Sequence, residues 1–365
     1  MARKRAVVAM SGGVDSSVAA ALLVEAGYDV TGIMLKLWRG DAANSNSGCC
    51  NLGAAEDARR VADALGIPFY VLNFAELFEG TVVRSFHEDY AAGRTPNPCV
   101  RCNQWVKFDA MLERADALGA DYLATDHYAR LRRVGGSFRL LRGADRGKDQ
   151  SYVLWMLTQN QLARTLFPVG EMRKSETRRI AASLGLRTAS KPDSQEICFV
   201  REGDVGRYVD ENVAGAAVPG PVVDRDGRVL ARHRGIGHYT VGQRRGLGIS
   251  LGVPVFVTGL DAASNTVTVG SRRDLRVGSF TTGETSFVGP SPPDGAEVLV
   301  QHRAHGEAGF ATLHPVGVGR WEARFVDPGS AIARGQSAAF YSAEEPERLL
   351  GGGIISSTAP AAVVA

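Results

Sequence analysis

The sequence predicts an α/β protein with a parallel sheet in its first half and a β-rich second half. Short apolar runs alternate with helical patterns over about the first 130 residues. After Asp204 the helical periodicity fades, and glycine, valine and proline separate short apolar segments. Strands that alternate with helices form βαβ units, whose parallel sheet is covered by helices on both faces. A chain of 365 residues is long enough for two or three such domains.

The individual elements follow from the apolar runs and from the glycines that end them. In the first half we predict strands at 5–10, 28–35, 68–74 and 121–125, and helices at 16–26, 53–65, 75–91, 104–118, 159–166 and 174–184. In the second half we predict strands at 253–260, 266–270, 297–301, 323–325 and 337–341. The uncharged tail 356–365 is expected to be frayed. The predicted domains are 1–203, 204–280 and 281–355.

Composition excludes several classes of protein. Hydrophobic residues make up 44% and charged residues 22%, which is the balance of a globular chain and not of a disordered or fibrous one. No apolar run reaches the roughly 18 residues of a membrane-spanning helix, and the apolar stretch in MARKRAVVAM is too short for a secretion signal. Five cysteines, an odd number, do not suit a disulfide scaffold. We therefore expect a cytoplasmic protein that does not engage a membrane.

Positive charge is concentrated in the middle of the chain. The net charge is only +3, but residues 101–190 hold 16 Lys or Arg against 9 Asp or Glu. A basic stretch inside a nearly neutral protein can be a binding surface for phosphates. The alternative is a solvated helical face without a partner.

The strongest local motif is Met10-Ser-Gly-Gly-Val-Asp-Ser-Ser17, between a predicted strand and a predicted helix. The first turn of a helix offers unpaired N–H groups and the positive end of the helix dipole, so it attracts anions. Gly12 and Gly13 allow the backbone to approach a phosphate, and Asp15 can hold a Mg²⁺ bound to phosphates. The motif lacks the Gly-Lys-Ser/Thr of a Walker loop and the Gly-x-Gly-x-x-Gly of dinucleotide-binding folds. A serine-rich helix cap without a ligand is the alternative.

Three cysteines occur in two unusual contexts, NPCVRCN (97–103) and DSQEICF (193–199). Arg101 and the start of a helix would both favour the thiolate of Cys102. A Cys-x-x-Cys pair by itself could bind zinc, hold an iron–sulfur cluster or perform redox chemistry. Cys49 and Cys50 are better explained as small buried hydrophobic residues.

Taken in order, the motifs closely resemble those of bacterial tRNA-specific 2-thiouridylases. The blocks are SGGVDSS, AGRTPNPCVRCNQWVKF, ATDHYAR, LLRGADRGKDQSYVL, LFPVGEMRK, KPDSQEICFV, YTVGQRRGLGI, ARGQSAAFY and LLGGGII. The resemblance covers nearly the whole chain, and SGGVDSS resembles the PP-loop of the ATP pyrophosphatase superfamily. It implies a PP-loop domain of the adenine nucleotide alpha hydrolase-like fold, a small β-rich central domain and a C-terminal β-barrel.

The resemblance also implies a reaction. ATP, with Mg²⁺, would adenylate O2 of the wobble uridine, position 34, in tRNAs for lysine, glutamate and glutamine. Cys198 matches the cysteine that carries a persulfide, and Cys102 matches its nucleophilic partner. A Cys102–Cys198 disulfide would form and need reduction. The sulfur would come from a cysteine desulfurase or a sulfur-relay protein.

Binding residues are carried over in the same way. The positions that match the ATP site are Ala9, Met10, Ser11, Gly12, Gly13, Val14, Asp15, Ser16, Leu35 and Asp126. The positions that match or neighbour tRNA contacts are Asn97, Pro98, Cys99, His127, Lys148, Asp149, Gln150, His302, Arg303 and Gln336.

Three positions depart from the family's usual pattern, one of them His302, which stands where tyrosine or another residue is common, and three other functions stay open. Cys99 stands where many members carry Asp, so Cys99, Cys102 and Cys198 could instead hold a [4Fe–4S] cluster with one open iron. Asp126 stands where glycine is usual. The alternatives are an iron–sulfur tRNA thiolase of the same superfamily, a PP-loop ligase without sulfur chemistry, and a tRNA-binding or sulfur-relay protein without catalysis.

Overall fold

The chain divides into two compact units, seen here in a computed structural model. The structure describes residues 3–38, 52–193, 197–200, 204–249, 252–304 and 306–361. Unit 1 comprises residues 1–82, 99–203 and 347–349, and unit 2 comprises 83–98, 204–346 and 350–365. Residues 83–98, which the sequence assigns to the first domain, therefore belong to unit 2.

Unit 1 is built on a parallel sheet. Its strands are β1 (Arg5–Ala9), β2 (Asp29–Lys36), β3 (Phe69–Asn73), β4 (Tyr122–Ala124), β5 (Ala129–Val134), β6 (Ser137–Arg142) and β7 (Thr165–Leu166). The five parallel strands lie in the order β3-β2-β1-β4-β7. Strand β1 is central, pairing Val8 with Gly32 on one side and with Ala124 on the other. The predicted parallel sheet is confirmed: β1, β2 and β4 are largely buried, whereas the edge strand β3 exposes Tyr70 and Val71.

Helices occur between these strands and in both units. They are α1 (Val14–Glu25), α2 (Leu52–Leu65), α3 (Ala75–Phe78), α4 (Arg84–Ala91), α5 (Pro98–Arg101), α6 (Met111–Ala117), α7 (Gln159–Ala163), α8 (Lys174–Ser183) and α9 (Val205–Asn212). Two π-helical stretches, Glu79–Val83 and Cys102–Ala110, connect α3 to α4 and α5 to α6. The helical segment predicted at 104–118 therefore begins at Pro98, a residue suited to a first helical turn.

Helix α1 is buried on nearly every side and forms the centre of unit 1. Val18, Ala19 and Ala20 are completely buried and belong to one hydrophobic cluster with the strands. A helix that is apolar all round must lie inside the protein. Two of its serines, Ser16 and Ser17, are equally buried, and both hydroxyls donate to the carbonyl of Gly13. Hydrogen bonds within the first turn thus allow polar side chains in a buried helix.

Unit 2 contains a four-stranded sheet and a closed barrel. The sheet has the order β10-β11-β8-β9, and the barrel has the order β12-β15-β14-β13-β16-β17 with β12 paired to β17. The strands are β8 (Gly220–Val223), β9 (Val229–His233), β10 (Phe256–Asp261), β11 (Thr266–Gly270), β12 (Arg276–Phe287), β13 (Ala296–Gln301), β14 (Gly309–Gly317), β15 (Arg320–Ser330), β16 (Ser337–Ser342) and β17 (Arg348–Pro360). The predicted β-rich half and terminal barrel are confirmed.

Further features of the fold differ from the sequence predictions, among them the predicted helix 159–166, which ends at Ala163 and is followed by β7. The boundary predicted after residue 280 falls inside β12, the first strand of the barrel. The tail predicted to be frayed continues β17 as far as Pro360, because its backbone pairs with β12, with Thr358 opposite Phe280. The β5–β6 hairpin was not predicted, since arginines interrupt the apolar alternation that indicates a strand.

Candidate active site

The glycine-rich loop after β1 has the geometry of a phosphate-binding loop. Gly12 has φ +71°, and a side chain there would lie under 3.0 Å from the backbone of Ala54 in α2. Gly13 precedes α1 and provides no side-chain cap, so the first-turn N–H groups face no competing side-chain acceptor there. Ser16 Oγ accepts from the Ser11 N–H at 3.1 Å, which closes the loop on itself. Only glycine fits the left-handed position with helix α2 packed against it.

The remaining predicted ATP residues lie at the same edge of the sheet. Ala9 ends β1, Leu35 lies near the end of β2, and Asp126 follows β4. These strands are neighbours and parallel, so their carboxyl ends lie side by side. Ligands of open α/β sheets bind at this edge. The structure therefore brings together residues that are 117 positions apart in the chain, from Ala9 to Asp126.

Asp15, predicted to bind Mg²⁺, is held by two side chains that the sequence interpretation did not single out. Lys174 Nζ donates to both carboxylate oxygens of Asp15, at 2.7 and 2.6 Å. The hydroxyl of Tyr128 lies 2.8 Å from Asp15 Oδ1 and 3.0 Å from Thr177 Oγ1. Lys174 is only 9% exposed, and burial raises the pKa of Tyr128 well above its usual range. A buried ammonium ion thus neutralises the carboxylate of the loop.

Asp193, at the beginning of the Cys198 segment, binds three cations. Its carboxylate lies 2.8 Å from Lys148, from Lys174 and from Arg178. Burial alone would raise the pKa of Asp193, but hydrogen bonds from Lys148 and Lys174 outweigh it and lower the pKa to about 2. The charge of Asp193 is therefore held by the same lysine that holds Asp15.

Lys191 adds a further cation at the loop itself. Its Nζ donates to the carbonyl of Gly12 at 2.9 Å and to Asp57 at 3.1 Å. Lys174 and Lys191 thus contact the phosphate-binding loop directly, and Lys148 and Arg178 join the same network through Asp193. Of these, only Lys148 was predicted as a site residue. The others lie in or beside the blocks LFPVGEMRK and KPDSQEICFV, which show basic residues but not where those residues fold to.

Cys102, predicted to be catalytic, and Cys99, predicted to contact the tRNA, lie in one helical segment. Cys99 is exposed on α5, and Cys102, partly buried, begins the π-helical stretch. Three residues apart, they share one face of the helical segment. The guanidinium of Arg101 lies 4.8 Å from the centre of the Trp105 ring and donates to Gln104 at 3.1 Å. Departures from the α-helix are frequent at functional sites.

Cys198 is exposed next to a buried aromatic anchor. Phe199, 8% exposed, stacks on Trp38 with ring centroids 6.4 Å apart and meets the edge of Phe78 at 5.7 Å. Aromatic pairs of this geometry stabilise a fixed arrangement. The chain is therefore held by ring contacts one residue beyond Cys198, which is itself exposed.

The described cysteines form neither a disulfide nor a metal-binding group. No disulfide joins Cys102 to Cys198 in the structure, and the predicted pairing stays a prediction. Across the described residues, no group of three or more His, Cys, Asp or Glu side chains is arranged to hold a metal ion. The iron–sulfur alternative therefore gains no support from the described thiols. Cys49 and Cys50 lie outside the described residues.

Several predicted tRNA contacts are engaged inside the protein. His127 is 4% exposed between the rings of Phe108 and Phe167, and burial with the charge of Lys107 lowers its pKa well below the usual value. Asp149 accepts from Arg142 at 2.9 Å and from the N–H groups of residues 143 and 151. The structure thus engages both side chains inside the protein, and their contact with tRNA stays a prediction.

Lys148 and Gln150, on either side of Asp149, connect the loop 148–150 to other parts of unit 1. Lys148 is 38% exposed at its side chain while bound to Asp193. Gln150 accepts from the N–H of Tyr128 at 3.0 Å, and its own N–H donates to the Tyr128 carbonyl at 2.9 Å. The loop 148–150 is thereby attached to the residue that contacts Asp15.

In unit 2, Gln336 supports the segment that leads to the predicted base contact. Its amide donates to the carbonyls of Thr95 at 2.8 Å and Pro96 at 3.2 Å, directly before Asn97 and Pro98. The N–H of Thr95 also donates to the carbonyl of Arg334 at 2.8 Å. Gln336 thus has a positioning contact that the sequence did not reveal.

The other two predicted tRNA residues of unit 2 are neighbours in sequence. Burial, with the charge of Arg303, lowers the pKa of His302 to about 4, so this imidazole is neutral at pH 7. Arg303 is exposed and donates to the carbonyl of Ala331 at 2.8 Å. Only the arginine can attract a phosphate by charge.

Comparison with known proteins identifies the family. Three family profiles match in succession, described as tRNA methyl transferase HUP domain (4–202), tRNA methyl transferase PRC-barrel domain (207–300) and Aminomethyltransferase beta-barrel domain (277–355). The tRNA-specific 2-thiouridylase MnmA of Moorella thermoacetica is 48% identical over 97% of this chain and 99% of that protein. The chain belongs to the tRNA-specific 2-thiouridylase family. The predicted resemblance is confirmed.

Other members of the family match over similar lengths. The MnmA proteins of Clostridium perfringens and Roseiflexus castenholzii are 46% and 47% identical, over 98% and 96% of this chain and 99% and 98% of their own lengths. Among solved structures, NMN synthetase from Francisella tularensis is 17% identical over 52% of this chain and 66% of that chain, with a TM-score of 0.33. No helix in the described parts of the chain is long and apolar enough to cross a membrane.

Proposed function

We propose that this chain is an ATP-dependent tRNA 2-thiouridine synthase. It adenylates O2 of uridine 34 in tRNAs for lysine, glutamate and glutamine, and then transfers sulfur to C2 from a persulfide on Cys198. The observation that carries the proposal is the shared network of unit 1, in which Lys174 joins Asp15 of the phosphate-binding loop to Asp193 of the Cys198 segment. Lys174 therefore links the phosphate-binding loop to the beginning of the segment proposed to deliver sulfur.

The phosphate-binding loop and its cations perform the first step. Uridine O2 attacks the α-phosphorus of ATP, the bond between the α-phosphorus and its bridging oxygen breaks, and pyrophosphate leaves. The first-turn N–H groups of α1 and the ammonium groups of Lys148, Lys174 and Lys191 stabilise the negative charge that develops on the leaving group. Asp15 is the carboxylate proposed to hold Mg²⁺ with the phosphates, and Lys174 supplies compensating positive charge beside it.

The two cysteines perform the second step. The terminal sulfur of the Cys198 persulfide attacks C2, and AMP leaves with the former uridine oxygen. The Cys102 thiolate then attacks the Cys198 sulfur, which releases the 2-thiouridine and leaves a Cys102–Cys198 disulfide. In the alternative order, Cys102 first attacks the persulfide and frees sulfide, which attacks C2. Either order ends in a disulfide that an external thiol must reduce before the next cycle.

The tRNA must present its base outside the stack of the anticodon arm. A base that lies in a stacked arm is turned out before an enzyme acts on it. Asn97, Pro98 and Cys99 are proposed to contact the turned-out uridine, with the preceding backbone held by Gln336. Lys148, Gln150 and Arg303 are the proposed polar contacts to the rest of the tRNA, and Arg303 and Lys148 contribute charge. The sulfur donor is proposed to be a cysteine desulfurase or a sulfur-relay protein, in the cytoplasm.

The test reconstitutes the reaction with purified chain, unmodified tRNA, Mg-ATP and a cysteine desulfurase with its cysteine substrate. Mass spectrometry of the tRNA nucleosides is expected to show 2-thiouridine. Cys102→Ser and Cys198→Ser should each abolish it while tRNA binding survives. Formation of 2-thiouridine by either variant would refute the assigned roles, and release of pyrophosphate without any thiolation would favour a ligase instead.

Cys99→Ser serves as the third variant, because it separates the persulfide route from an iron–sulfur route. Under the proposal this variant keeps sulfur transfer, since two thiols suffice. Stoichiometric iron and sulfide in the anaerobically purified protein, lost together with activity in Cys99→Ser, would contradict the persulfide mechanism.

A further inference from the structure

A loop of unit 2, within the segment YTVGQRRGLGI (239–249), is not used by the reaction proposed for this chain. We name residues 240–248 the arginine loop, after Arg244 and Arg245 at its centre. Both arginines are exposed, and neither guanidinium forms a hydrogen bond or an ion pair with any residue that the structure describes. Packing within the described parts of the chain therefore gives no reason for these two side chains.

The arginine loop is held by its own hydrogen bonds and by a buried anchor. The side chain of Gln243 accepts from the N–H of Thr240 at 3.0 Å and donates to the carbonyl of Arg245 at 3.0 Å. The carbonyl of Gln243 accepts from the N–H of Val257 in β10 at 2.9 Å. Leu247 is 6% exposed and belongs to the hydrophobic cluster of the four-stranded sheet. The backbone that carries the two arginines is thus ordered before a partner binds, which reduces the entropy lost on binding.

The sequence on both sides of the arginine loop is basic. Residues 227–260 contain five arginines and no Asp or Glu. Among the described residues, no carboxylate lies within ion-pair distance of any of these five arginines. Other arginines of unit 2 do have such partners, among them Arg207, Arg225 and Arg324. The positive charge of this stretch is therefore not balanced by a described acid, and it attracts anions.

The arginine loop adjoins Arg303, a proposed tRNA contact. A β-carbon on Gly242 would lie 3.4 Å from Nη2 of Arg303 and 2.6 Å from the β-carbon of Ala331. The same Nη2 donates to the carbonyl of Ala331 at 2.8 Å. Ala331 has a φ of +54°, a left-handed conformation that persists in a residue with a side chain only where the surroundings fix it. Two positions of chain span at most about 7 Å, so Arg244 lies near this contact.

We propose that the arginine loop binds the phosphodiester backbone of the tRNA through Arg244 and Arg245, beside the contact proposed for Arg303. The inference rests on the proposed function for its substrate. Guanidinium groups bind phosphate oxygens through two parallel N–H donors. Contacts of this kind provide affinity and orientation without reading the base sequence. Because Leu247 is buried in the sheet, the loop offers little apolar surface to a lipid layer.

The test measures how the tRNA affinity of the full chain depends on salt concentration, for the wild type and for Arg244→Gln/Arg245→Gln. Each phosphate contact contributes about 0.7–0.9 to the slope of log affinity against log salt. The double variant should therefore lose about 1.4–1.8 from the slope and bind tRNA roughly tenfold more weakly, with a raised KM for tRNA. Arg244→Lys/Arg245→Lys keeps the charge and should keep the slope. Thermal unfolding of both variants should match that of the wild type.

The matched control is Arg272→Gln/Arg273→Gln. These two arginines are also adjacent and exposed in unit 2, but they precede the carboxylate of Asp274. The control removes the same charge and should leave the slope nearly unchanged.

Four outcomes would overturn the proposal. An equal loss of slope in the control would reduce the effect to net charge. An unchanged slope in Arg244→Gln/Arg245→Gln would exclude the phosphate contacts, and a lost slope in the lysine variant would show that charge is not the cause. Binding to anionic phospholipid vesicles that the glutamine variant loses, with normal tRNA binding, would assign the loop to a membrane. If the wild-type chain neither binds nor thiolates tRNA, the proposed function itself fails, and this inference fails with it.

Discussion

Replacing Asp193 by Asn tests the network that joins the phosphate-binding loop to the Cys198 segment. The substitution keeps the size of the side chain and removes the charge that Lys148, Lys174 and Arg178 share. Lys174 keeps Asp15 as a partner, so no buried ammonium is left completely uncompensated. The free energy of unfolding should therefore fall by the contribution of one carboxylate to an ion-pair network, and the rest of the site should stay intact.

The lowered pKa of Asp193 sets the size of the expected loss of stability. The pKa of Asp193 is about 2, against an ordinary 3.8. At about 1.36 kcal/mol per pKa unit, this difference corresponds to about 2.4 kcal/mol of folded-state stabilisation by the ionised carboxylate. The side chain of Asp193 is 21% exposed, and solvent screening reduces this to about 1–2 kcal/mol. Because the folded pKa lies below the ordinary one, the contribution is complete above pH 3.8 and disappears as the pH falls towards 2. About half of it should remain at pH 3.

Urea unfolding of the wild type and Asp193→Asn from pH 7 to pH 3 measures this contribution. The matched control is Asp116→Asn, since Asp116 is 52% exposed and pairs with Arg164 at the surface, where the loss should stay under about 0.5 kcal/mol. Equal stability of wild type and Asp193→Asn at pH 7 would refute the network. A deficit that does not shrink between pH 5 and pH 3 would show that its cause is not the carboxylate charge.

Two further substitutions separate sulfur delivery from base positioning. Phe199→Ala removes the contacts with Trp38 and Phe78, so thiolation should fall at least tenfold while tRNA-dependent pyrophosphate release continues. The conservative variant Phe199→Leu should retain most of the thiolation activity. Equal activity of the two variants would contradict an anchoring role for Phe199. Gln336→Glu keeps the shape of the side chain but replaces the donor to the Thr95 carbonyl by an acceptor. The rate of thiolation, measured in single-turnover assays, should therefore fall about tenfold. An unchanged rate would exclude the positioning contact.

The residues of the phosphate-binding loop could be predicted because their function is local. A strand, two glycines and the first turn of a helix are adjacent in sequence, so the parts that form the loop can be recognised within and beside the motif Met10–Ser17. Lys174 could not be predicted in the same way, because it lies 159 residues from Asp15 and reaches it only when α8 packs beside α1. A basic residue in a helix gives no signal of which carboxylate it will meet.

Burial gives the predicted tRNA residues different surroundings, which the sequence did not indicate. His127, Lys148 and Asp149 are all polar residues within matching motifs, and nothing in the sequence distinguishes them. In the structure His127 lies between aromatic rings and Asp149 accepts three hydrogen bonds, whereas Lys148 keeps part of its side chain in solvent. Exposure depends on the elements that pack around a loop, which come from other parts of the chain.

The sequence by itself determined the class of the protein, its family and its reactive groups. Periodic apolar runs indicate βαβ units, and the motifs around Ser11, Cys102 and Cys198 are short and specific. The tertiary structure alone decided that Asp193 binds the cations of the phosphate-binding loop and that the tail pairs with β12. The physical reason is the range of the interactions, since backbone propensity and capping act over a few residues. Ion pairs, ring contacts and strand pairing depend on distance in space, which the order of residues does not specify.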